Sequence, residues 1–325
     1  PHTFHMGRDA PRATIPSRTL EEYAHEIMSH ASACASATSA RDATGKNAEQ
    51  SLVLVRSWCA DARVFLLVFP SAHAQRRALG RASMYLEDPE TLGVVASALP
   101  SGARGGVANY SGHNMRVSAL CRFIDACGGV DACWEEEREL MRALIMHGII
   151  THDVRTGTCV AARDVGKYRH KGEACVVAVQ ASGDAREVKD ALIHEAMHGL
   201  WYARSAYAEQ CYAYYASDAL DARERAIWVD FLRELRYATE DEEVVVNEFQ
   251  AYMATETQMF GGGGNGGGSG ATKKGGGKKS GSSSSSSIDA LTAMQVKFAE
   301  WARNVVADED ARALRCGETK AVFVR

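Results

Sequence analysis

Ile193-His194-Glu195-Ala196-Met197-His198-Gly199 is the stretch on which the reading of this chain turns. Residues at i and i+4 share one face of an α-helix. His194 and His198 can therefore point two imidazoles at one metal ion, with Glu195 beside them as a base. The flanks predict the helix independently of the motif. Asp184 reads as an N-cap, and Glu187, three residues on, completes a capping box. Val188, Leu192, Ala196 and Leu200 then recur every four residues, an apolar stripe to bury. His194, His198 and Tyr202 fall on a neighbouring stripe. The bland alternative is one packed and one surface histidine on a core helix.

Around this helix the chain has the makings of an ordinary globular protein. At 325 residues, 46% apolar and 24% charged, it can bury a sizeable core. Its net charge of −4 supplies no basic field to recruit nucleic acid, and no run of Lys and Arg coincides with aromatics. The longest aliphatic and aromatic run, Val64 to Phe69, is far too short to span a bilayer, so no membrane partner is expected. Nine cysteines are spread thinly, with no Cys-x-x-Cys. That usage resembles reduced thiols more than a disulfide framework and leans the expected location towards the cell interior, as does the lack of a visible signal peptide. Cys121, Cys127 and Cys133 are spaced by six, wider than the pairs of a structural zinc site.

Taken in order, residues 1–16 carry three prolines and no periodicity and read as a disordered tail. A helix is predicted from Thr19, where Glu22 completes a capping box. Ser51–Arg56 and Arg63–Phe69 have strand composition, Ser71–Leu86 is helical, and Gly102 to Gly112 is turn-rich. Helices follow from about Arg116 to Ala126 and Trp134 to His147. Residues 149–180 read as sheet: Ile149–His152, Thr158–Ala162 and Ala174–Gln180. Beyond the motif lie a tyrosine-rich stretch, Trp201–Leu220, and helices at Ala222–Tyr237 and Asp241–Gln258. Residues 261–287, Gly, Ser and Lys, cannot build a core and read as a flexible insertion. Leu291, Met294, Phe298, Trp301 and Val305 then give 288–325 an amphipathic helix expected to dock back on the 17–260 domain.

Two histidines leave a catalytic zinc in need of a third protein ligand and an open position for water. The metzincin pattern calls for a glycine three residues after His198 and a histidine three further on. The chain has Trp201 and Arg204 in those places, which exclude that class. Glu209, Asp218 and Asp221 are downstream candidates. Glu248 is the strongest, because a carboxylate between Val246 and Phe249 in mid-helix is expensive unless paired or bound to metal.

His194-Glu195-x-x-His198 followed by Asn247-Glu248-Phe249-Gln250-Ala251-Tyr252 resembles the zincin metallopeptidases of gluzincin type. The resemblance covers only these two helices. It implies an α+β, zincin-like fold, with a small mixed or antiparallel sheet packed on a helix-rich subdomain that carries the metal. It further implies zinc held by His194, His198 and Glu248, Glu195 as general base, and a peptide or protein substrate laid along an edge strand. The interval of 50 positions from His198 to Glu248 is longer than in compact gluzincins. Tyr252 stands where thermolysin-like enzymes place an aspartate that orients a zinc histidine, so it is expected either to bond a ligand or to pack. Tyr202, Tyr207, Tyr252, His152 and His170 are open candidates for stabilising an oxyanion. The alternative function is a non-catalytic zincin-like scaffold or interaction domain.

Overall fold

Val64–Phe69 is apolar at every position because both of its faces are covered: all six residues are buried. The computed structural model of the protein describes residues 18–19, 54–57, 63–100, 110–153, 155–161, 172–181, 185–255, 283–305, 316–317 and 320–321. Strands β1 (Arg18–Thr19), β2 (Leu54–Ser57) and β3 (Val64–Phe69) precede helix α1 (Ala72–Glu87). Strand β4 (Gly112–Arg116) runs directly into α2 (Val117–Ala126), followed by α3 (Glu135–Met146), β5 (Ile150–Asp153), β6 (Thr158–Ala161) and β7 (Cys175–Gln180). Then come α4 (Ala185–Ala203), α5 (Ser205–Ala216), α6 (Ala222–Glu234), α7 (Glu242–Thr255) and α8 (Ser283–Val305), with β8 (Cys316–Gly317) and β9 (Lys320–Ala321) last.

The main sheet is mixed and ordered β4-β7-β3-β2-β9. β3 and β7 are parallel, with Leu66 opposite Val177. β4 is antiparallel to β7, with Asn114 opposite Val177. Strand alternation then sorts the side chains. Val64, Leu66, Val68, Val177 and Val179 meet Val188, Leu192, Ala196 and Ala203 of α4. On the other face Phe65, Leu67, Met115 and Val176 pack with Leu79 of α1, Phe123 of α2 and Leu144 of α3. The β5–β6 hairpin pairs with itself and joins that second cluster through Ile150 and Cys159.

The helix α4 lies close on the sheet because Gly199 has no side chain. A Cβ there would stand 2.8 Å from Val64 Cγ1. Its last turn is held at two of its open carbonyls: the buried Arg63 guanidinium donates to Ala203 O, and Glu173 N–H donates to Tyr202 O at 2.8 Å. The side of α4 turned from the sheet meets a helical layer through Met197, Trp201, Tyr207, Cys211 and Val246. Leu200 belongs to this contact rather than to the sheet-facing stripe in which its spacing places it. Val245, Phe249 and Met253 of α7 pack with Trp228 of α6 and Leu291, Met294 and Phe298 of α8.

The α+β expectation holds in its coarse form: a mixed sheet with helices on both faces and a helix-rich layer behind α4. One element corrects the sequence reading. Gly112–Arg116 (GHNMR) is a strand at the end of the described sheet, where a turn and a helix start are expected. Gly, His and Asn are poor strand formers, so pairing with the strongly β-forming β7 imposes this conformation. The helix α8 begins at Ser283, five residues before position 288, where the sequence predicts its start. The tail at 1–16, the helix predicted from Thr19, the cap at Asp184, His170 and most of the 261–287 insertion lie outside the described residues. No helix among the described residues is long and apolar enough to cross a membrane.

Candidate metal centre

The crossing of α4 and α7 places three ligand atoms together. His194 Nε2 and His198 Nε2 are 3.1 Å apart. Glu248 reaches them at 3.6 Å (Oε2 to His194 Nε2) and 3.7 Å (Oε1 to His198 Nε2). Among the described residues, these three form the group of His, Cys, Asp and Glu side chains that could hold a metal ion. The i, i+4 spacing supplies the two histidines from one helix turn, as the sequence predicts. Glu248 comes from a helix buried on all sides, with Val245 through Met253 all buried.

Such a helix should be apolar all round, so each polar residue on it needs a partner. Asn247 explains itself through His198: its Oδ1 lies 3.0 Å from His198 Nδ1. An amide oxygen only accepts, so His198 carries its proton on Nδ1 and turns the Nε2 lone pair towards the ligand cluster. The same Oδ1 accepts from Gln250 Nε2 at 3.1 Å, and Gln250 Oε1 accepts from the Tyr207 hydroxyl at 2.9 Å. Asn247 Nδ2 donates to the Tyr202 hydroxyl at 3.2 Å, which donates to Asn114 Oδ1 on β4 at 3.0 Å. Asn114 in turn hydrogen-bonds Glu195. One hydrogen-bonded chain thus runs from Tyr207 through the support of a ligand histidine to Glu195.

Tyr252 packs against a ligand histidine. Its ring meets that of His194 edge-on, with centroids 4.7 Å apart and an interplanar angle of 81°. Asn247 makes a hydrogen bond that orients a ligand histidine, and its position just before Glu248 was the available signal. Tyr237, which follows α6, donates a hydrogen bond to Glu248 and was not singled out from the sequence. Glu87, at the end of α1, was also missed. Burial pushes its carboxyl up to about 8, and the charge of Glu248 adds to the rise.

Electrostatics favours a cation here. Glu195 and Glu248 are both buried, and burial raises both carboxyl pKa values; for Glu195 the charges of Glu248 and Glu87 add to the shift. The Oε2 atoms of Glu195 and Glu248 are buried without a hydrogen-bond partner among the described residues. Burial lowers His198 to about 4, so its imidazole is neutral and ready to ligate at ordinary pH. Acceptors converging on one point, with orphaned carboxylate oxygens, fit a bound cation better than an empty core.

The approach of β4 to α4 is close at one residue. A Cβ on Gly112 would stand 2.6 Å from Glu195 Cδ and 2.7 Å from Cγ. Gly112, Asn114 and Arg116 share the sheet face turned to α4, and the Arg116 guanidinium lies 4.7 Å over the Tyr202 ring.

The other ligand candidates and His152 lie elsewhere. Asp221 caps α6, accepting from Glu224 N–H at 2.8 Å, and Asp218 and Glu209 are exposed. His152 sits on the β5–β6 hairpin, which packs on the sheet's opposite side. Tyr202 and Tyr207 are committed to the chain of bonds described above. No protein-family model, no curated protein and no solved structure matches the chain. The functional reading therefore stands on this site.

Proposed function

We propose that this protein is a zinc-dependent metallopeptidase of gluzincin-like construction. The observation that carries the reading is the convergence of His194, His198 and Glu248 with Glu195 beside them at the end of the described sheet. A tetrahedral ion with bonds of about 2.0–2.1 Å spaces its ligand atoms about 3.3 Å apart. The two Nε2 atoms, 3.1 Å apart, and the Glu248 carboxylate, 3.6 Å from one through Oε2 and 3.7 Å from the other through Oε1, lie near that value. Two imidazoles and one carboxylate suit zinc, and three protein ligands leave a coordination position open. A zinc ion held by His194, His198 and Glu248 would acidify water and polarise a carbonyl.

The chain's own residues supply the rest. Glu195 adjoins His194 on α4 and is not needed as a ligand, so its carboxylate is available to take a proton from the attacking water and pass it to the leaving amine. Burial and neighbouring carboxyls raise its proton affinity, which suits that shuttle. Asn114 steadies Glu195 from β4. β4, at the end of the described sheet, offers backbone groups to which an extended peptide can add as a further strand beside Glu195.

The test is zinc content by elemental mass spectrometry together with cleavage of a mixed peptide library, for wild type and Glu195→Gln. One zinc per chain in both, with cleavage by wild type alone, is the expected result. Full cleavage by Glu195→Gln sinks the mechanism, and zinc without cleavage in wild type replaces the peptidase with a metal-stabilised scaffold.

A further inference from the structure

A second chemical group lies on the far side of the sheet, built on the sequence Cys127-Gly128-Gly129-Val130-Asp131-Ala132-Cys133. Cys127 ends α2. Gly128 and Gly129 both take positive φ, 96° and 97°, a region closed to most side chains. Their N–H groups fold back on Asp125 O and Ile124 O at 3.0 Å each. A single 3₁₀ turn then returns the chain, with Cys133 N–H donating to Val130 O at 3.1 Å. The two glycines thereby bring Cys133 beside Cys127, and the two thiols hydrogen-bond each other.

The surroundings make the two sulfurs unequal. Arg81 Nη2 lies 3.9 Å from Cys127 Sγ. That guanidinium is fixed: its Nε donates to Glu137 Oε1 at 2.8 Å, and its carbon lies 4.3 Å over the Trp134 ring. Cys127 is half-buried, whereas Cys133 is buried with its sulfur 3.4 Å from Gly129 O. The bond from Cys133 and the charge of Arg81 hold the Cys127 thiol below its ordinary pKa, against burial and the charge of Glu137. The bond to Cys127 and burial push Cys133 up. One thiol is thus the better thiolate and the other a retained proton donor, the division of labour of a reactive dithiol.

We propose that Cys127 and Cys133 form a redox-active pair in which Cys127 attacks a hydroperoxide and Cys133 resolves the product to an intramolecular disulfide. The Cys127 thiolate attacks the terminal peroxide oxygen. The O–O bond breaks, and the alkoxide or hydroxide leaves with the proton that Cys127 released. The resulting Cys127 sulfenic acid is attacked by Cys133 sulfur. Its S–O bond breaks and the S–S bond forms, with the hydroxyl departing as water on the Cys133 proton. Two thiols lose two electrons and two protons, and the peroxide gains them.

The pair is independent of the metal centre, so its test needs no peptidase activity. The reduced full chain is treated with one equivalent of hydrogen peroxide, the remaining thiols are alkylated, and peptides are mapped by mass. A Cys127–Cys133 crosslink lighter by two hydrogens, formed before other cysteines react, is expected. In Cys133→Ala, Cys127 should accumulate as a sulfenic acid captured by a 1,3-diketone. Its alkylation by iodoacetamide at neutral pH should slow by about tenfold as the thiolate fraction falls. The proposal is overturned if both thiols stay alkylatable in the wild-type chain while other cysteines oxidise. It is equally overturned if Cys133→Ala leaves Cys127 alkylation unchanged and traps no sulfenic acid.

Discussion

Replacing Gly112 with alanine sets one methyl group against the side chain of Glu195. On the native backbone the new carbon would stand 2.6 Å from Cδ and 2.7 Å from Cγ, and closer still to Oε1. Ordinary carbon contact needs about 3.5–4.0 Å, so the carboxylate has to withdraw by roughly 1 Å. The strand cannot give way as readily. Gly112 is paired to Val179, and Gln75 Nε2 ties down the preceding carbonyls of Tyr110 and Ser111 at 3.1 and 3.2 Å. A misplacement of about 1 Å at a catalytic group costs on the order of 100-fold in rate, equivalent to about 2.7 kcal/mol of transition-state stabilisation. The three atoms nearest the new Cβ all belong to Glu195, not to a ligand side chain. In Gly112→Ala, kcat/KM on a cleavable peptide should therefore fall by about 100-fold, with zinc retained at the wild-type level. Wild-type kcat/KM in a folded, metal-loaded variant would refute the role given to Glu195 and its contact with β4.

Three further outcomes follow from the same packing. Asn247→Ala removes the acceptor of the His198 Nδ1 proton and should weaken zinc affinity by about 10- to 100-fold, read by competition with a calibrated chelator; unchanged affinity would mean that His198 does not depend on Asn247. Gly199→Ala gains about 1 kcal/mol of helix propensity but drives a methyl into the stiff Val64 side chain, an overpacking cost of about 1–3 kcal/mol. Urea unfolding should show net destabilisation, and a more stable variant would contradict the close seating of α4. His113 is buried, its Nδ1 is 2.7 Å from Ser83 Oγ, and burial lowers its pKa to about 4. The unfolded chain, with an ordinary histidine near 6.5, then binds the proton more readily. Stability from this group is complete above that value and is lost as pH falls towards 4, by about 2 kcal/mol between pH 8 and pH 5. His113→Asn should flatten that part of the acid limb in metal-free protein, and an identical pH dependence would refute the assignment.

The two helices of the site were legible in the sequence because their signals are local. His194 and His198 lie one helical turn apart, and Glu248 stood out as a carboxylate in an apolar helix whose burial demands a counter-charge. The strands at Val64–Phe69 and Cys175–Gln180 were legible from β-branched and aromatic runs that suit a buried sheet. β4 was not legible, since Gly112-His113-Asn114 carries no strand preference and becomes a strand only by register with β7. Asn247 as the support of His198, Tyr237 on Glu248, and the Asn114 link to Glu195 join residues far apart in the chain. The sequence by itself determined which atoms were suited to ligation and which stripes had to be buried, because helical and strand periodicities act over a few residues. The crossing of α4 over α7, the depth at which Gly199 seats α4, and the strand β4 brought against Glu195 were decided only by tertiary packing, where side-chain volumes from distant segments set the distances.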